Sequence, residues 1–163
     1  MRFLFVIFCL FLFGQVHSQD KKLLKKQMMQ LGLAYRNKFR DIKNDGFAYD
    51  FKLTGTTGET MKQLRADTMT ASLAIRLARE GNEEEIDAIY NKWSELINTM
   101  DFNGARLVAK DETGDGKFST KLRIWKIDNS SGQIDPKYQN FSITLEILKV
   151  GKTYHPYMMV GDK

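Results

Sequence analysis

The spacing of the apolar residues changes at about residue 104 of this chain, and that change restricts the fold more than any other feature. Apolar residues first recur at steps of three and four, as in residues 21–42, whereas after residue 104 they alternate with polar ones. The first pattern places side chains on one face of a helix, and the second places them on one face of a strand. Helices followed by strands are typical of the α+β class. The sequence therefore predicts N-terminal helices packed on an antiparallel sheet of about four to five strands.

Two helices are predicted before residue 82. The first covers 21–42, where one face carries Leu24, Met28, Leu31, Tyr35, Phe39 and Ile42. The second covers 69–77, with Asp67 as its N-cap and Gly81 at its C-terminal end. Glycine favours the left-handed backbone that often ends a helix, so Gly81 fits this position.

A third helix is predicted from Asn82. Glu85 follows Asn82 by three residues, which is the spacing of a capping box, and three glutamates occupy the positive end of the helix dipole. The apolar stripe predicted for this helix consists of Ile86, Ile89, Trp93, Leu96 and Met100. The helix is expected to end at 101–104, "DFNG".

Alternation predicts the strands. "FAYDF" (47–51) is a short candidate strand, and 54–60 is a glycine-rich loop without a phosphate-binding pattern. In the segment 118–125 the predicted core face carries Phe118, Thr120, Leu122 and Ile124, and the predicted polar face carries Ser119, Lys121, Arg123 and Trp125. In the next strand Phe141, Ile143, Leu145 and Ile147 are predicted to face the core. A tight turn then leads into a last strand through "TYHPYMMV".

The stretch "DETGDGKFST" (111–120) has two interpretations. An EF-hand loop that began at Asp111 would need a bidentate glutamate at its twelfth position, where this chain has Leu122. The flanking segments also alternate like strands, whereas an EF-hand is flanked by helices. We therefore interpret "TGDG" as the turn of a β-hairpin.

The N-terminus has the pattern of a secretory signal. Arg2 precedes an apolar run from Phe3 to Phe13, which is shorter than the ~20 residues that a membrane-spanning helix needs. Small residues at Val16 and Ser18 fit cleavage before Gln19. The other interpretation, a buried N-terminal helix, is disfavoured because the run is apolar all round. We predict a signal peptide at 1–18, a single domain at 19–163 and an extracellular location.

Cysteine usage limits both stability and chemistry. The only cysteine is Cys9, inside the predicted signal peptide, so the secreted chain would contain none. Small secreted domains usually depend on disulfides, and this one has to depend on its apolar core. Thiol catalysis and cysteine-ligated metal sites are excluded for the secreted chain. Two N-x-S/T sequons, at Asn129 and Asn140, are predicted glycosylation acceptors.

Positive charge is concentrated in the first predicted helix. The chain carries 25 Lys and Arg against 20 Asp and Glu, and within 21–43 the single acid is Asp41. A basic helix of this kind is compatible with a membrane surface or an anionic partner, and equally with a solvated helix face. Secretion argues against nucleic acid as a partner.

Candidate chemical groups are few. His155 is the only histidine after the signal peptide; it is interpreted as a polar residue of an edge strand, since Pro156 follows, or as a pocket-lining group. Asp50 and Asp87 are interpreted as exposed acids. Trp93 belongs to the predicted core stripe, whereas Trp125 is predicted to face solvent and to mark a contact surface. No catalytic set, metal site or cofactor is predicted.

Two segments carry a family resemblance. "SLAIRLAREGNEEEIDAIY" (72–90) resembles the opening helices of the nuclear transport factor 2-like superfamily, and "FSITLEILKVGKTY" (141–154) is similar to its sheet and terminal hairpin. The resemblance covers 68–160 and points to small secreted members of the nematode type. It implies a curved, cone-like sheet covered by helices. Family members usually have a short hairpin between the helices and the later strands, and the sequence shows none after Tyr90.

These features are compatible with three functions. The first is a secreted, non-enzymatic protein whose helix-capped sheet binds a small apolar ligand or an extracellular protein. The alternative is a small cone-fold isomerase or dehydratase, although no position matches a catalytic motif of the family. The third is binding of the basic segment 21–43 to a membrane surface or an anion. A homodimer through the outer face of the sheet is also compatible with the sequence.

Overall fold

The computed structural model describes residues 21–42, 51, 53–57, 61–66, 71–102, 105–112, 118–128 and 135–162. Within these ranges two α-helices pack against a curved antiparallel sheet, which confirms the predicted α+β fold. The predicted signal peptide and most of the predicted strand at 47–51 lie outside the described residues, and Phe51 itself belongs to no strand. None of the described helices is long and apolar enough to cross a membrane.

Helix α1 covers residues 21–35, and its predicted apolar face is buried in the main core. It ends before the predicted boundary at residue 42 because the chain turns at Lys38 and Phe39, whose φ angles are +55° and +60°. The amide of Phe39 donates to the carbonyl of Ala34 over 2.8 Å, and the Phe39 ring is completely buried. Burial of this ring offsets the roughly 1–2 kcal/mol that a left-handed backbone costs a residue with a side chain. A 3₁₀ turn at Arg40–Ile42 follows.

The predicted second helix at 69–77 is wrong. Strands β1 (Met61–Ala66) and β2 (Ala71–Arg76) form an antiparallel hairpin in this part of the chain, and burial alternates along β2. A step of four residues is also two steps of two, so Leu73 and Leu77 share a face in a strand as well as in a helix. Pairing with a second strand, at Thr153–Asp162, decides between them. Gly81 forms a bridge with Tyr154 and ends no helix.

Helix α2 (Glu83–Asn98) begins with the predicted capping box. The side chain of Asn82 accepts from the Glu85 amide over 3.0 Å, and the Glu85 carboxylate accepts from the Asn82 amide over 3.3 Å. The buried face of α2 is turned slightly from the predicted stripe, since Ile89 and Leu96 are only partly buried. The buried members of that face are Ile86, Tyr90, Trp93, Ser94 and Ile97.

Five more strands follow α2: β3 (Asp101–Phe102), β4 (Ala105–Glu112), β5 (Ser119–Ile127), β6 (Phe141–Val150) and β7 (Thr153–Asp162). The described strands lie in the order β1-β2-β7-β6-β5-β4-β3. Strand β4 pairs antiparallel with β5, which confirms the predicted hairpin around 111–120, although residues 113–117 lie outside the described part. The sheet has more strands than the four to five predicted because β1, β2 and β3 come from segments that were not predicted as strands.

The faces predicted for β5 are reversed. Trp125 is opposite Ile143 of β6, and that residue is opposite Val160 of β7, so the three share the face that the helices cover. Trp125 is completely buried, whereas Phe118, predicted to face the core, is 54% exposed. Both faces of β5 carry apolar residues, so alternation alone could not decide between them. The indole of Trp125 takes the inward position because it buries a larger apolar surface than the apolar side chains on the other face of β5. Its Nε1 also donates to Asn98 Oδ1 of α2 over 2.8 Å.

Candidate functional site

Between the helices and the sheet, the described side chains form the main hydrophobic core. The inward residues of β6 are buried as predicted, and aromatic rings close the space towards α1. Completely buried side chains from both helices and the sheet meet there: Met28, Leu31, Phe39, Trp125, Phe141, Ile143 and Leu145. The described part of this interior is a packed core. An enzyme of the cone type would need an open pocket in the same place.

A groove lies elsewhere, between the beginning of α1 and the C-terminal half of α2. We call it the interhelical groove; its volume is about 590 Å³, and it is lined by Lys21, Lys22, Leu24, Lys25, Thr54, Gly55, Lys92, Trp93, Glu95, Leu96 and Thr99. The volume falls within the range of about 300–1,000 Å³ that is typical of small-molecule sites. The groove is therefore large enough for a small ligand.

Two hydrogen bonds hold the walls of the interhelical groove together. The Nζ atom of Lys25 on α1 donates to the carbonyl of Thr99 at the end of α2 over 3.1 Å. The amide of Thr54 donates to the side-chain oxygen of Gln27 on α1 over 2.9 Å, which ties the loop at 53–57 to the helix. The groove thus joins three segments that are distant in the sequence.

The chemistry of the interhelical groove is mixed. Leu24, Trp93 and Leu96 provide apolar surface, and the first two are recessed, with 8% and 3% of their surface exposed. Of the described residues in the lining, four lysines and one glutamate carry a charge. This arrangement suits a ligand that has an apolar part and a negative charge.

His155 does not line the interhelical groove. It lies in β7 between inward-facing neighbours, so alternation puts it on the face of the sheet away from the helices. Its Nδ1 lies 3.3 Å from the guanidinium of Arg76 and 3.9 Å from the Glu80 carboxylate, and its Nε2 lies 3.1 Å from the hydroxyl of Thr153. These contacts form a polar cluster on the sheet surface.

The prediction that His155 belongs to an edge strand is wrong, because β7 lies between β2 and β6. Pro156 is tolerated inside the sheet because of where β2 ends. The carbonyl of Pro156 accepts from the amide of Leu77, which comes immediately after the last residue of β2. In an antiparallel sheet, the N–H and the C=O of one residue point to the same neighbouring strand. The N–H that Pro156 lacks would therefore point towards β2, at the position where the ladder between β2 and β7 stops.

Trp125 and the candidate acids do not form a site together. Trp125 is a core residue, so the predicted contact surface at this position is wrong. Asp87 is partly buried and pairs with Lys121 of β5 at 2.6 Å, and Asp50 lies outside the described residues. Of the two predicted sequons, Asn140 is exposed just before β6, and Asn129 lies outside the described part. Among the residues with described positions, no group of three His, Cys, Asp or Glu is placed to hold a metal.

A buried acid that the sequence reasoning missed is Asp162, at the end of β7. Its side chain is 8% exposed, and one of its oxygens accepts from the Tyr35 hydroxyl over 2.5 Å. The other oxygen accepts from the Ala71 amide over 2.5 Å and lies 3.5 Å from Lys38 Nζ. Alternation through Met158 and Val160 could have revealed its inward position. Its oxygens are already bonded, so Asp162 connects α1, β2 and β7. We call the contacts of Asp162 with Tyr35, the Ala71 amide and Lys38 the latch.

The latch makes stability sensitive to alkaline pH. Burial, with a smaller effect from Asp162, raises the pKa of the Tyr35 hydroxyl; burial also raises the pKa of Tyr90 and of Tyr138. Well below the ordinary phenol pKa of about 10 these phenols are protonated in both states. Above about pH 10 the unfolded chain loses its protons first, so the free energy of unfolding decreases as pH rises.

We expect urea unfolding between pH 8 and pH 11 to show this decrease, with a shallower slope for Tyr35→Phe. The matched control is Tyr157→Phe, which removes a phenol hydroxyl from the sheet face opposite the helices. Equal slopes for the wild type and Tyr35→Phe would contradict the assignment of the decrease to Tyr35.

Comparison of the chain with family models, with curated proteins and with solved structures found no match. The resemblance to the nuclear transport factor 2-like superfamily therefore remains a prediction, and the case for a function rests on the geometry described above.

Proposed function

We propose that this protein is a secreted, non-enzymatic binding protein that holds a small ligand with an apolar part in the interhelical groove. The observation that carries the proposal is the contrast between two places. The space beneath the sheet is packed with apolar side chains, whereas the groove between α1 and α2 is open and has recessed apolar surface. The proposed ligand site thus lies between the helices and not, as the sequence suggested, beneath the sheet.

The positions of Asp162 and His155 favour binding over catalysis, and Glu95, the acid of the groove lining, is exposed, whereas a carboxylate catalyst usually has its pKa tuned by burial. An isomerase or dehydratase would need an acid or a histidine free to reach a bound substrate. The oxygens of Asp162 are taken up by Tyr35, the Ala71 amide and Lys38. His155 lies on the other face of the sheet, away from the groove.

One further point supports the wider proposal. Asn140 is exposed, as a glycan acceptor in a secreted protein should be. Two further proposals also concern non-enzymatic binding. One is an extracellular protein partner, and the other is a homodimer through the outer sheet face.

The direct test uses the chain from Gln19 and a neutral apolar fluorophore, N-phenyl-1-naphthylamine. We expect saturable binding at one site, and we expect Leu96→Trp to weaken it at least tenfold, because the indole would fill the groove. Leu33→Trp is the matched control, since Leu33 is 46% exposed on α1 and does not line the groove.

Circular dichroism would confirm that both variants remain folded. Failure of the folded wild type to bind the fluorophore, or unchanged affinity in folded Leu96→Trp, would refute the proposed site.

A further inference from the structure

The lysines of the interhelical groove identify the class of ligand, an inference that rests on the proposed function. They come from two helices: Lys21, Lys22 and Lys25 from α1, and Lys92 from α2. Among the lining residues that the structure describes, Glu95 is the one acid, and the acidic first turn of α2 lies at the other end of that helix. Positive charge therefore exceeds negative charge at the groove.

The described parts of the chain compensate these charges only in part, through Glu95 and the carbonyl end of α2. Lys25 donates to the carbonyl of Thr99, but no described carboxylate forms an ion pair with Lys21, Lys22 or Lys92. Like charges gathered around one cavity repel one another, and an anion bound among them would relieve that repulsion. The lysines therefore favour a negatively charged group at the rim.

The apolar surface of the groove favours a hydrocarbon chain attached to that group. Leu24 and Trp93 line the groove and are almost buried, and the methylene groups of lysine side chains can cover further apolar surface. A single chain can enter a groove and reach such recessed residues, whereas a flat membrane surface cannot. The geometry thus favours a free amphiphile over a bilayer.

We propose that the interhelical groove binds a single-chain amphiphile with an anionic head group, such as a fatty acid. The head group lies among Lys21, Lys22 and Lys92, and the chain lies against Leu24, Trp93 and Leu96. Affinity should then rise about three- to fourfold for each methylene group that becomes buried. It should fall as salt concentration rises, because ions screen the attraction between exposed charges.

The test compares laurate, below its micelle-forming concentration, with the neutral 1-dodecanol by isothermal titration calorimetry. We expect laurate to bind at least tenfold more tightly than dodecanol, and octanoate to bind much more weakly than laurate. In the triple variant Lys21→Gln, Lys22→Gln, Lys92→Gln, the affinity for laurate should fall about tenfold, while that for dodecanol should stay the same.

The matched control removes three positive charges elsewhere, through Lys26→Gln, Lys137→Gln and Lys152→Gln. These lysines are exposed and do not line the groove, so the affinity for laurate should change less than about twofold. An equal loss in both triple variants would show a general effect of net charge and would overturn the proposed head-group site.

The remaining outcomes separate this inference from the proposed function. Equal binding of laurate and dodecanol would overturn the anionic ligand and leave an apolar binding site in place. If the protein bound none of the three probes (laurate, dodecanol and the neutral fluorophore), both this inference and the proposed function would be overturned. Binding to phosphatidylglycerol vesicles without binding to laurate would assign the lysines to a membrane surface and overturn the inference.

Discussion

Replacing Gly161 with alanine is expected to lower the free energy of unfolding by about 4 kcal/mol. The φ angle of Gly161 is +138°, and a Cβ atom there would lie 2.2 Å from the Ala71 carbonyl oxygen and 2.7 Å from Ser72 Cα. These are backbone atoms of β2, which pairs with β7 at this point, so they cannot move away without disrupting the ladder. Strain and steric overlap therefore act together.

Gly151→Ala is the matched control for Gly161→Ala. Gly151 also has a positive φ angle, +64°, but a Cβ atom there would meet nothing within 4 Å. It should cost only about 1–2 kcal/mol, the penalty for a left-handed residue that has a side chain. Urea unfolding of the two variants measures the difference, and equal stabilities would show that β2 does not approach β7 as closely as described.

Replacing Asp162 with alanine should have the second-largest effect, a loss of about 3 kcal/mol. Removal of the carboxylate leaves the Tyr35 hydroxyl and the Ala71 amide without their acceptor in a buried region. A buried donor without a partner costs more than the net contribution of an ordinary hydrogen bond. Because α1, β2 and β7 meet at this carboxylate, the loss should appear in the global unfolding transition.

A double-mutant cycle tests the latch itself. Tyr35→Phe removes the hydroxyl, so its effect and that of Asp162→Ala should be less than additive, with a coupling energy of about 1 kcal/mol. The control is Asp135→Ala, which removes an acid that forms an exposed ion pair with Arg36 at 3.0 Å and accepts from the Lys137 amide at 3.0 Å, and it should cost about 1 kcal/mol. Equal losses for Asp162→Ala and Asp135→Ala would contradict a structural role for Asp162.

The two largest effects fall on residues that sequence reasoning did not select. Gly161 and Asp162 are the last two residues of β7, and their importance comes from β2 and α1, which are more than 85 positions away. Alternation along β7 shows that Asp162 points inward, but it does not show which group accepts or donates there. Long-range partners become visible only once the strands are paired.

Local patterns were sufficient where one physical interpretation was available. The capping box at Asn82 and Glu85 depends on backbone groups three residues apart, and the inward face of β6 is apolar at every second position. Both were predicted correctly because their determinants are close in the sequence. The α+β class followed from the same change of apolar spacing.

Tertiary structure decided the cases in which a local pattern fitted two arrangements. Leu73 and Leu77 fit a helix and a strand equally well, and pairing with β1 and β7 selects the strand. Trp125 could face either side of β5, and its place opposite Ile143 turns it inward. The interhelical groove depends on a contact between Lys25 and Thr99, 74 residues apart. Sequence by itself determined elements whose stabilising contacts are local, whereas the faces, the latch and the groove required packing between distant segments, because only the folded chain brings those side chains within contact distance.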